Sequence, residues 1–115
     1  MSTGSAPQQE LNSFVQRLAQ FFPDASPVRI PVRISGKTIS GKPFSEKTLV
    51  EFGTPREVIF ASRLPLEFAD TLRIENADGS LGTEVSVVAI HYFDGNTTAV
   101  AARFVGEVAN WIVKG

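Results

Sequence analysis

Two hydrophobic periods divide the chain. Leu11, Phe14, Val15, Leu18, Phe21 and Phe22 fall at i, i+3, i+4, i+7, i+10 and i+11, one apolar stripe that predicts an amphipathic helix over 7–24. Ser5-Ala6-Pro7-Gln8 has the capping-box pattern, and Pro23 ends the helix because it lacks an N–H and disfavours helical geometry at Phe22. An isolated helix of this length is marginal in water, so the stripe must dock, either on this chain's own sheet or on another copy of the chain.

After Pro27 the period falls to 2. Val28, Ile30, Val32 and Ile34 alternate with Arg29, Pro31, Arg33 and Ser35, the pattern of a half-buried strand, and its prolines suit a sheet edge. A second strand is expected from Phe44 to Phe52, with Phe44, Thr48, Val50 and Phe52 facing inward. Glu57–Ser62 and Thr71–Glu75 read as the third and fourth strands, joined through a nonregular Leu64-Pro65-Leu66 bridge. Asp78-Gly79 supplies a turn into Glu84–Phe93, the longest β-branched and aromatic run, and Asp94-Gly95-Asn96 turns the chain into Thr97–Phe104. Phe104, Val108, Trp111 and Ile112 recur at helical spacing and predict a short C-terminal helix closing one end of the sheet. The fold class is mainly β: a small six-stranded antiparallel β-barrel with helical pieces at its two ends. Residues 1–6 are expected to be a flexible N-terminus, 7–24 the helix and 25–115 the barrel domain.

Composition narrows the chemistry. The chain of 115 residues suits one domain, and having no cysteine it can hold no disulfide, thiolate nucleophile or Cys-type metal centre. A formal charge of −1 gives no global field for DNA, RNA or an anionic membrane. The opening residues lack the basic start and apolar run of an export signal, and no stretch of ~18 apolar residues occurs, so a cytoplasmic protein without membrane insertion is expected. Asn96-Thr97-Thr98 then reads as a polar turn rather than a glycosylation site.

Catalysis finds little support. His91, the one histidine, shares strand parity with Val85, Val87, Ala89 and Phe93, which places it at the margin of a packed face. Gly36-Lys37-Thr38 resembles the end of a phosphate loop, but Pro31 stands where that loop needs its first glycine. The carboxylates have no metal-ligand spacing, and no enzyme, cofactor or metal is expected.

The run RIPVRISGKTISGKPFSEKTLVEF, Arg29 to Phe52, followed by PREVIFASRLPLEFADTLRI and the strands through Phe104, resembles a PilZ-type domain. Members of that bacterial family bind the second messenger cyclic di-GMP through an RxxxR and, further on, a (D/N)xSxxG. The resemblance implies that the arginine pair holds the phosphates and stacks on guanine, a task suited to guanidinium's planar fork. The acid and serine meet the guanine edge, and the glycine admits close backbone approach. Here Arg29-Ile30-Pro31-Val32-Arg33 has the first spacing, whereas Glu51-Phe52-Gly53-Thr54-Pro55-Arg56 departs at all three signature positions of the second. Alternation also puts Arg29 and Arg33 on the outward face of the first strand, while the family's pair lies in the lead-in before it. Charge-assisted hydrogen bonds contribute roughly 1.5–3 kcal/mol each, so losing several predicts weak or absent nucleotide binding.

Two functions follow. The first is a non-enzymatic regulatory module acting through protein contacts or self-association, with Phe14, Leu18, Phe21 and Phe22 as the contact surface. The alternative is a working cyclic di-GMP signalling domain that uses Arg29, Arg33 and Arg56, with Glu51 and Gly53 completing the candidate ligand site.

Overall fold

Each alternating segment becomes a strand in the computed structural model, which describes residues 14–37, 40–79, 81–92 and 96–106. β1 (Ser26–Lys37), β2 (Pro43–Gly53), β3 (Glu57–Ser62), β4 (Thr71–Asn76), β5 (Gly82–Tyr92) and β6 (Thr98–Phe104) form a closed barrel in the order β1-β2-β3-β6-β5-β4, and every neighbouring pair is antiparallel. Closure comes from β1 against β4, where Val32 to Ser35 lie opposite Asn76 to Arg73. β4 reaches no further, so the first half of β1 has β2 as its one neighbour, paired through Ser26, Pro27, Ile30 and Pro31. Both prolines of β1, Pro27 and Pro31, fall on that stretch, where proline is tolerated and blunts the open edge.

Val32, Ile34, Val50, Val58, Phe60, Leu72, Ile74, Val85, Val87, Val100 and Phe104 fill the barrel. Leu66, from the crossover between β3 and β4, joins this core, which explains the apolar residues of the nonregular bridge. The Asp78-Gly79 turn forms as the sequence predicts, with Gly79 at a φ of 79° that glycine adopts without strain.

A second apolar layer lies outside. Residues 14–19 form helix α1, and its Phe14, Val15, Leu18 and Ala19 pack on Ile59, Ala99 and Ala101, which face outward from β3 and β6. Alanines at 99 and 101, with Ala61 and Ala89 beside them, leave the sheet flat enough for a helix to lie close. β3 is therefore covered on both faces, and every residue of Glu57–Ser62 except Ala61 is buried. The helix ends near the predicted place, its last turn tightened by bonds from Phe21 N–H to the Leu18 carbonyl (3.1 Å) and from Phe22 N–H to the Ala19 carbonyl (2.9 Å).

Several expectations are corrected. Phe52 does not face inward with Phe44, Thr48 and Val50. Val50 pairs with Phe60 and Phe52 with Ile59, so Glu51 is an extra residue that reverses the alternation and sends Phe52 to the helix-covered face. β5 has the same irregularity at Val88, since Val87 pairs with Ala102 and Ala89 with Ala101. His91 consequently leaves the parity of Val85 and Val87 and stands opposite Ala99, its ring centroid 5.7 Å from that of Phe14. Phe104 is a core residue of β6 rather than the start of a helix. The rest of the predicted C-terminal helix, with Val108, Trp111 and Ile112, and residues 7–13 of the N-terminal one lie outside the described residues. No helix among the described residues is long and apolar enough to cross a membrane.

Candidate functional site

The barrel has one end built from the start of β1, the end of β2, the β2–β3 turn and the end of β6, and this end gathers most of the candidate ligand residues. Thr54 organises the turn. Its hydroxyl oxygen accepts from the Arg56 N–H (2.9 Å) and the Glu57 N–H (2.8 Å), while its own N–H donates to the Glu57 carbonyl (2.9 Å). Such side-chain bonding to nearby amides is what threonine offers at a chain reversal, and Pro55 between them fixes one dihedral. The Thr54 hydroxyl proton goes to the Glu57 carboxylate.

Glu57 is the buried charge of this end, only 7% exposed. β3–β6 pairing places it opposite Arg103, whose Nε and Nη2 both reach Oε2 at 2.8 Å. One carboxylate oxygen is thus held by threonine and the other by guanidinium, which satisfies a charge that burial would otherwise make costly. Among the described residues, no buried side-chain nitrogen or oxygen lacks a partner.

Gly53 is buried between Ser26 of β1 and Val58 of β3, with no side chain to present to a ligand. Val28 and Arg29 bulge out opposite Glu51, which brings Arg29 close enough to act on its carboxyl. Burial raises the Glu51 pKa above the ordinary 4.5, and the nearby Arg29 charge partly opposes this. The folded protein therefore holds this proton to higher pH than the unfolded chain. The group's stabilising effect is complete below the unfolded value and is lost as pH rises through the folded one. An NMR titration of the side-chain carboxyl is expected to find the Glu51 midpoint above 4.5, moving higher in Arg29→Ala. A midpoint at or below 4.5 would contradict the burial.

Arg56 is exposed at the turn and lines a cleft of about 490 Å³ together with Phe22, Pro23, Asp24 and Thr54. Arg33 lies elsewhere. Four residues along the strand put it ~13 Å from Arg29, in a different cleft of about 420 Å³ with Lys47 and Glu75. The structure therefore brings Arg29, Glu51, Gly53 and Arg56 to one end of the barrel and leaves Arg33 apart. The Arg29–Arg33 pair does not converge on one concavity.

The proposed contact stripe is largely spent inside the molecule. Phe14 and Leu18 are buried at 3% and 4% exposure and Phe22 packs beside them, so their predicted role as a free surface is corrected to that of a docked face; Phe21 alone is open, at 77%. Thr54, Glu57 and Arg103 were not legible as a site. A Thr-x-x-Glu spacing marks the turn, but the arginine joins it only through strand pairing.

No family model matches the sequence, and no curated protein does. Among solved structures, the Bacillus subtilis inhibitor of motility, MotI/DgrA, aligns with 75% of this chain at a TM-score of 0.53 and 13% identity. The chain spans 42% of that protein's length, and at this identity the likeness shows a shared barrel fold.

Proposed function

We propose that this chain is a PilZ-like, non-enzymatic regulatory module that works through protein contacts and has a weak or absent affinity for cyclic di-GMP. The closed six-stranded barrel, its fold likeness to an inhibitor of motility, and the Arg29–Phe52 run support the PilZ-like reading. One observation carries the rest: Arg33 lines a different cleft from Arg56, and a buried glycine stands where the family's serine would meet the guanine edge.

Calorimetric titration of the full chain with cyclic di-GMP tests this reading. The expected result is no saturable heat at micromolar ligand. A dissociation constant near 1 μM, equivalent to about −8 kcal/mol, that disappears in Arg29→Ala and Arg33→Ala would establish the alternative receptor reading instead.

A further inference from the structure

Charge is distributed unevenly in this molecule. The β1–β2 hairpin carries Arg29, Arg33, Lys37, Lys42 and Lys47 against only Glu46 and Glu51, in a chain with a formal charge of −1. Neither acid neutralises the outer face of the hairpin. Glu46 is turned toward β3, where it accepts from the Ser62 hydroxyl (2.7 Å) and the Arg63 N–H (2.8 Å), and Glu51 is half-buried in the bulge beside Arg29.

Strand register makes the arrangement costly. Arg33 lies directly opposite Lys47, both exposed, and like charges facing each other across an antiparallel pair are destabilising. On its other side Arg33 meets Glu75, but that carboxylate is engaged by the Arg73 guanidinium at 3.1 Å. Neither Arg33 nor Lys47 has an ion pair or hydrogen bond to another side chain among the described residues. They share the cleft of about 420 Å³, beside the neighbouring pair Pro31 and Leu49 on the same face.

We infer that the outer face of the β1–β2 hairpin is a docking surface for a short acidic segment of another protein, with a carboxylate seated between Arg33 and Lys47 and the adjoining chain covering Pro31 and Leu49. Charge complementarity selects the occupant. The remainder of the molecule is acidic, which repels a long phosphate polymer or an anionic bilayer, whereas a short segment need touch only the hairpin. This inference rests on the protein-contact reading above and names the chemistry of the contact.

The test is fluorescence anisotropy at low ionic strength with a labelled peptide of about ten alternating glutamates and alanines, long enough at ~3.4 Å per residue to span the face. Binding is expected to weaken with added salt and to fall on the order of tenfold in Lys47→Glu and in Arg33→Glu. Arg17→Glu, an exposed charge on α1, is expected to have little effect. Because Lys47→Glu replaces a repulsive pair by an attractive one, its melting temperature is expected to hold or rise, which separates lost docking from lost folding. Absence of peptide binding, equal weakening by Arg17→Glu, or capture by phosphatidylglycerol vesicles or oligonucleotide in place of the peptide would overturn the inference. If these failures come without nucleotide binding, the regulatory reading stands. Displacement of the peptide by micromolar cyclic di-GMP would overturn both.

Discussion

Ile59→Ala is expected to destabilise the protein by about 2–4 kcal/mol, although Ile59 points away from the barrel interior. In a bare barrel that position would face water, and its truncation would cost within about 0.5 kcal/mol. Here Ile59 is fully buried under α1 with Ala99, Ala101, Phe14 and Leu18 around it. Removing three carbons leaves a void that the flat alanine surface cannot close. Urea unfolding followed by circular dichroism measures the loss. A near-neutral result would mean that α1 does not rest on β3 and β6, and the apolar stripe would again be free to bind something else.

Arg103→Ala should cost about 2–3 kcal/mol, below the 3–5 kcal/mol typical of a fully buried pair because the guanidinium is half exposed and partly screened by water. Its partner has no such relief. Glu57 would keep only the Thr54 hydroxyl and would lose both contacts to Oε2. Replacing both members of the pair by leucine should recover most of the loss, since no buried charge then remains. Thermal melts of the two variants make the comparison, and a double variant no better than Arg103→Ala would show that the pair contributes through packing rather than charge.

These two cases mark where sequence reading succeeds and stops. Alternation in Val28–Ile34 assigns Val32 and Ile34 to the interior and Arg29 and Arg33 to the outside, because period 2 is a local property of an extended chain. The apolar face of α1 is equally local. What covers that face is not, and the small residues that receive it, Ala99 and Ala101, read simply as strand alanines until β6 is seen beside β3. Bulges are the other blind spot. One extra residue at Glu51 or Val88 reverses every assignment beyond it, and nothing in those stretches departs from ordinary strand composition. This is why simple alternation puts Phe52 and His91 on the wrong faces.

The candidate site follows the same division. Arg29, Arg33 and Arg56 are visible as residues, but their mutual placement depends on which cleft each strand end borders. The Glu57–Arg103 pair joins positions far apart in sequence, and only β3–β6 register unites them. The like-charge pair Arg33 and Lys47 is a product of the hairpin register in the same way.

The proposed weakness toward cyclic di-GMP depends on the arginines lying apart, and amide chemical-shift mapping of the full chain during titration with that nucleotide reads their responses one by one. At ligand concentrations on the order of 1 mM, enough to reveal even a −4 kcal/mol interaction, Arg29, Arg33, Gly53 and Arg56 should show no common saturating response. A coherent set of shifts across those four residues, fitting one dissociation constant, would contradict it.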